Sequence, residues 1–295
     1  MNASQLKLPY IGGPTALLEF GGLRLLADPT FDAPGGEHTT GPQTLRKIMG
    51  PALGSDAIGL LDAVLLTHDH HFDNLDHAGR ALLGNMERVF TTKEGALRLG
   101  RNVIGLAAWD SVDLQTHGGA LRVTATPAQH GPADSDRGPV IGFILASVHI
   151  PEEGIYISGD TVWFEGVAEV ARRFEIHTVV LFMGAARVPA VGSHHLTMTA
   201  TEGTQVAHAF PRAMIVPLHF EGWAHFLESR EVITRAFDRA GLTGRLQWPE
   251  LGRTISICPS KRPDIDGGSN RQRRFGFHAK AMVSQSDRDA QARAT

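Results

Sequence analysis

Thr67-His68-Asp69-His70-His71-Phe72-Asp73-Asn74-Leu75-Asp76 follows the apolar run Ala63-Val64-Leu65-Leu66, and the reading of residues 62–76 decides the fold. The apolar run predicts a short buried strand over 62–66, which puts the histidines on the loop leaving its C-terminal end. Open α/β sheets place their chemistry at that edge. In extended or loop backbone His68 and His70 point the same way, since side chains repeat with period two. Neighbouring neutral imidazoles suit a borderline-soft divalent cation such as zinc, and a carboxylate nearby admits a second or harder metal.

The chain around this stretch has 295 residues, 42% of them hydrophobic and 20% charged, enough for one large or two small domains. A formal charge of -3 gives no electrostatic reason to expect nucleic acid as a partner. Cys258, placed in a late strand, is the only cysteine, so a metal must be held by His, Asp or Glu, and a reducing, cytoplasmic location is expected. The opening residues carry no signal-peptide pattern, and the longest apolar stretch, about 140–150, is too short to span a bilayer. No apolar stripe argues for a particular oligomer, and a homo-oligomer stays open.

Outward from the histidines, Gly21-Gly22 joins two apolar strands within 15–27 and predicts a hairpin. Residues 30–60 are rich in Gly and Pro and read as a long surface loop with a short helix near 43–49. Beyond the cluster the predicted order is helix 75–83, strand 87–92, helix 93–100, then strands 120–127, 139–147 and 154–159. Helix 163–174, strand 176–183, helix 199–209, strand 213–217 and helix 227–240 follow. Residues 1–260 are expected to form one domain. From 261 to 295 periodicity fades and polar and basic residues accumulate, as in Arg271-Gln272-Arg273-Arg274, which predicts a disordered tail.

Three more metal-capable residues end predicted strands: His130 in Pro127-Ala128-Gln129-His130, Asp160 in Ser158-Gly159-Asp160-Thr161, and His219 after Val216-Pro217-Leu218. A single strand-end Asp or half-buried His serves equally well as a cap or a core polar group. Four repeats of the same pattern point instead to one site. The order His-x-His plus Asp, then His, then Gly-Asp-Thr, then a strand-end His resembles the metallo-β-lactamase superfamily, over about residues 10–258. Leu196-Thr197-Met198 and the run from His219 to Trp223 resemble its branch of ascorbate-phosphate lactonases and N-acyl-phosphatidylethanolamine phospholipase D relatives. The resemblance implies an α/β fold of four layers, an αββα sandwich of two mixed β-sheets flanked by helices. It also implies that His68, His70 and His130 hold a first metal, and Asp73, Asp160 and His219 a second, with Asp160 bridging.

The chain departs from the family's His-x-His-x-Asp-His pattern by one extra residue and by Asn74 where the last His would fall. The second site then lacks an imidazole and gains at best the amide oxygen of Asn74 as a ligand, and His71 is expected to swing in, to line the pocket or to meet solvent. The expected cofactor is Zn²⁺, one or two per chain, with Mn²⁺ or Fe²⁺ as alternatives. The expected function is hydrolysis of an ester, lactone or phosphodiester by a zinc-bound water, whose pKa falls from 15.7 to about 7. An iron-dependent oxidoreductase on the same fold and a non-catalytic metal sensor are the competing readings. Asp73 is the expected orienting and proton-shuttling group. His195, beside His194 in a Gly-Ser loop before a helix, is expected to meet an anionic small-molecule substrate. His225 lies near His219 in the sequence and is a further candidate. Asp76, Thr67 and Thr161 are expected to support ligand imidazoles, whereas His38 and His77 have no supporting pattern.

Overall fold

Alternating and continuous apolar runs give the first three strands of the computed structural model, which describes residues 5–40, 43–134 and 137–258. These are β1 (Leu6–Gly12), β2 (Thr15–Phe20) and β3 (Leu23–Ala27), paired antiparallel. Gly21 and Gly22, at φ +62° and +87°, close the Phe20–Leu23 pair, as the predicted two-residue hairpin requires.

The helix predicted near 43–49 is absent. Strands β4 (Glu37–Thr40) and β5 (Gln43–Arg46) form an antiparallel hairpin there. Burial runs with period two, Leu45 and Lys47 inward and Thr44, Arg46 and Ile48 outward, and the surrounding glycines and prolines hide this from a periodicity search.

Next come β6 (Ala63–Leu65), α1 (His77–Leu83), β7 (Val89–Thr92), α2 (Lys93–Leu99) and β8 (Val103–Leu106). Their strands extend the first sheet from β3 in parallel. A second sheet opens as an antiparallel meander of β9 (Ser111–Thr116), β10 (Gly119–Pro127), β11 (Ile141–Ser147) and β12 (Glu153–Ile157). After α3 (Glu165–Arg173), β13 (Glu175–Phe182), α4 (Ala200–Ala209) and β14 (Met214–Leu218) continue it in parallel. Then α5 (Arg230–Arg239) leads to β15 (Thr254–Ile257), which returns to pair with β1. The strand orders are β15-β1-β2-β3-β6-β7-β8 and β14-β13-β12-β11-β10-β9. Strands β1, β8 and β9 lie outside the set read from the sequence; β8 and β9 are half exposed and lack a run of core residues.

Three apolar layers hold the sheets and helices together. Leu8, Leu18, Leu25, Leu65 and Phe90 of the first sheet meet Val123, Phe143, Ile155, Val180 and Phe182 of the second. Leu17, Leu26, Val64 and Val89 on the outer face of the first sheet pack on Leu75 and Leu83. Tyr156, Val179, Leu181 and Ile215 pack under Val167, Val206, Ile233 and Phe237 of α3, α4 and α5. Helix, sheet, sheet and helix are thus the four layers expected. The loops leaving β3, β6, β10, β12 and β14 carry the polar residues of the site. The basic tail expected at 261–295 lies outside the described residues, and the exposed Cys258 follows directly on β15.

Candidate metal centre

Three imidazole nitrogens converge from two loops. His71 Nδ1 lies 3.0 Å from His68 Nε2 and 3.2 Å from His130 Nε2. The far side of each strand-end ring is engaged: His68 Nδ1 lies 3.0 Å from the Thr67 hydroxyl, and His130 Nδ1 donates to the Leu196 carbonyl at 2.9 Å. The Thr67 hydroxyl itself donates to Asp28 at 2.7 Å, so it accepts from His68 and fixes that tautomer. Both Nε2 lone pairs therefore face inward, and one His71 nitrogen cannot satisfy both. Burial, and after it the neighbouring imidazoles, holds His68 and His71 well below the usual histidine pKa, which keeps them neutral and fit to ligate.

Asp160 links this triad to a second one. Its Oδ2 is 3.9 Å from His68 Nε2 and 3.7 Å from His130 Nε2, and its Oδ1 is 3.3 Å from His219 Nε2. His219 Nε2 is also 3.5 Å from Asp73 Oδ2, and His225 Nε2 reaches the same Asp73 oxygen at 3.0 Å. Asp160 is 1% exposed, yet neither of its oxygens accepts a hydrogen bond of sound geometry. A buried carboxylate left in this state calls for a cation. His219 records the same demand: burial opposes its charge, but Asp160 and Asp73 push its pKa up to about 10. Burial likewise raises Asp73, while His219 and His225 outweigh it and hold its carboxyl well below the usual range.

Local backbone sets these positions. Gly159 takes φ +62°, and a Cβ there would meet the Ile141 carbonyl oxygen at 2.8 Å and Thr67 Cγ2 at 3.0 Å, so only glycine turns the chain into Asp160 this close to the Thr67 loop. His219 itself adopts φ +53°, and Asp28 φ +29°, conformations non-glycine residues keep where the surroundings enforce them.

The residues proposed from the sequence thus fall into groups. His68, His71 and His130 converge; Asp73, Asp160 and His219 form the second cluster; Asp160 is shared. His70 stands aside: its Nε2 donates to the Arg137 carbonyl at 2.9 Å, its ring is 24% exposed, and it forms a further group with His68 and His71. Asn74 donates from Nδ2 to Asp28 at 3.2 Å, and its Oδ1 is buried without a partner. An imidazole does approach Asp73 from elsewhere: that of His225, in the loop before α5.

His195 is 41% exposed and paired with Glu202 at 3.1 Å, which raises its pKa; His194 is exposed. Asp76 and Thr161 do not support imidazoles, contrary to expectation. Asp76 accepts from Phe31 N, Asp32 N, Gly79 N and Lys47 Nζ, and Thr161 bridges Gln129 N to the Val162 carbonyl. The sequence reading passed over Asp28, which accepts from Thr67 N, Thr67 Oγ1 and Asn74 Nδ2. Burial is the main reason its pKa rises to about 7. Its signal was available, an Asp ending a buried strand like Asp160. Beside the triad, Asp69, His70, His71, Phe72, Leu75, Arg80 and Arg98 line a cavity of about 220 Å³.

Two mixed sheets between helices, with a cluster of His and Asp side chains on the loops that leave their strands, define a metal-binding αββα protein. The family model for the beta-lactamase superfamily domain matches residues 23–220, and the chain belongs to that superfamily. It is 24% identical over 261 residues to UPF0173 protein YddR of Bacillus subtilis, covering 85% of this chain and 100% of that protein. It is also 24% identical over 219 residues to UPF0173 metal-dependent hydrolase PAE2160 of Pyrobaculum aerophilum, covering 73% and 84%. Among solved structures, isothiocyanate hydrolase from Delia radicum gut bacteria superposes with a TM-score of 0.73 at 24% identity, covering 84% of this chain and 98% of that one. Among the described residues no helix is long and apolar enough to cross a membrane.

Proposed function

We propose that this protein is a zinc-dependent hydrolase of small molecules carrying an ester, lactone or phosphodiester. The observation that carries the reading is the shared, hydrogen-bond-free Asp160 carboxylate between the His68–His71–His130 triad and the Asp73–His219–His225 group. We assign the triad to one cation and the second group to another, with His71 in the place first given to His70. Two Zn²⁺ ions would supply an activated water and a Lewis acid for the scissile oxygen. The chain's own groups do the rest. Thr67 and the Leu196 carbonyl hold His68 and His130 in the ligating tautomer. Asp73, pinned through Oδ2 and held ionised by His219 and His225, would orient the attacking water as a hydrogen-bond acceptor at the other oxygen. On the rim of the adjoining cavity Arg98 is paired with Asp69, and Arg80, bound only to a backbone carbonyl, leaves a net positive charge that suits a substrate with an anionic part. His195, one residue from the Leu196 carbonyl that holds His130 and paired with Glu202, would meet the substrate from the side of the loop before α4. The lone free thiol fits a reducing, cytoplasmic setting.

The test is a hydrolysis panel run on the full-length protein after reconstitution with Zn²⁺, Mn²⁺ or Fe²⁺, with bound metal counted by mass spectrometry. The panel covers lactones, aryl esters and phosphodiesters, and an isothiocyanate because of the solved relative. Turnover of one class that needs the metal and disappears in His130→Ala is the expected result. A metal-loaded protein inert to the whole panel would overturn it.

A further inference from the structure

A second His/Asp cluster lies on the other side of Phe72 from the metal centre. Asp32, on the loop before β4, His38 on β4 and His77 at the start of α1 each bring one ligand-type atom within 4.8 Å of the others. Sequence spacing gave no reason to join them. The hairpin that carries His38 brings it over Phe72 and Trp223, at ring-centroid distances of 5.0 and 5.3 Å. The His77 ring is 5.5 Å away.

His38 is the anomaly. Its side chain is 5% exposed, and neither Nδ1 nor Nε2 has a hydrogen-bond partner. A buried imidazole stripped of both partners is costly unless something else engages it. Asp32 Oδ2 stands 3.9 Å from His38 Nε2, beyond hydrogen-bonding reach but close to the spacing of two ligands on one ion. Zinc bonds of about 2.0–2.1 Å in a tetrahedral shell place ligand atoms roughly 3.3 Å apart, so about half an ångström of closure suffices. Asp32 already accepts from His77 N and Ala78 N at 3.2 and 2.9 Å, and a carboxylate with about four lone-pair sites retains room for a cation. His77 is exposed, with its ring beside Phe72 and His38 at centroid distances of 4.9 and 5.5 Å. Burial lowers the His38 pKa, which leaves a neutral ring.

We propose that Asp32, His38 and His77 bind a further Zn²⁺ ion, with solvent on the His77 side as the fourth ligand. Such an ion ties the β4–β5 hairpin to the start of α1. It closes over Phe72, the residue between His71 and Asp73, and so braces the loop that carries the metal centre.

The test uses full-length protein stripped by chelation, reloaded with Zn²⁺, dialysed and counted by mass spectrometry. His77→Ala should bind one ion fewer than the parent, and His77→Cys should restore it, since a thiolate replaces the imidazole. His219→Ala should change the count at the metal centre and leave the His77-dependent ion in place. That ion therefore stands or falls separately from the reading of the main centre. Because His77 is exposed, its loss does not threaten folding, and far-ultraviolet circular dichroism verifies this. Equal counts in the parent and His77→Ala would overturn the proposal, as would a His77→Cys protein that binds no more than His77→Ala.

Discussion

His70 and His71 are neighbours in sequence with opposite surroundings. The first spends its Nε2 on a backbone carbonyl, and the second aims Nδ1 at two other ring nitrogens. His71→Ala should therefore lower the bound metal by about one ion per chain and weaken zinc binding by at least 10–100-fold, the range seen even for residues that only support ligands. His70→Ala should leave the count unchanged. Metal counting on both variants decides between the sequence spacing and the observed geometry. The strand-end members of the cluster, His68, His130, Asp160 and His219, were legible because each follows a buried run and a turn. Which of His70 and His71 faces His130 was not, because it rests on how the loop bends after His68. The contribution of His225 was equally hidden, since only the fold brings the loop before α5 against Asp73.

Asp76 shows how an element can depend on one carboxylate. It caps α1 through Gly79 N, holds the loop after β3 through Phe31 N and Asp32 N, and neutralises Lys47, whose side chain is 3% exposed. Asp76→Ala would leave that ammonium buried and unpaired, at a cost of about 3–5 kcal/mol, with about 1 kcal/mol more for the lost cap. Chemical denaturation should show this as a large fall in midpoint, and metal content should fall with it as the loop loosens. The helices and central strands were readable because their apolar spacing repeats over two or more turns or pairs. The β4–β5 hairpin was not, since its inward residues, Leu45 and Lys47, include a charge whose burial makes sense only once Asp76 and Trp223 are in place.

Across the whole molecule, metal and protons both bear on stability. An ion that binds only the folded state at a concentration 100 times its Kd contributes about 2.7 kcal/mol, or roughly 5–10 °C for a domain of this size. Thermal unfolding with and without chelator should show at least that interval. Away from the centre, His177 on β13 packs near Phe20, and burial lowers its pKa to about 4. The unfolded chain, with an ordinary histidine pKa of about 6.5, takes up that proton first. Stability should accordingly decline as pH falls from about 6.5 toward 4, and His177→Gln should flatten this part of the curve in denaturation midpoints measured across the range.

The pairing of β15 with β1, in register from Leu6–Ile257 to Pro9–Thr254, sets a timetable for biosynthesis. Strand β1 leaves the ribosome well before β15, and until β15 follows, β1 offers its free edge to any neighbouring strand. The first sheet therefore cannot finish during translation of its own segment. A nascent chain stalled before Thr254 exposes the edge of β1 that β15 covers in the finished sheet, and β1 is open to mispairing for as long as β15 is missing.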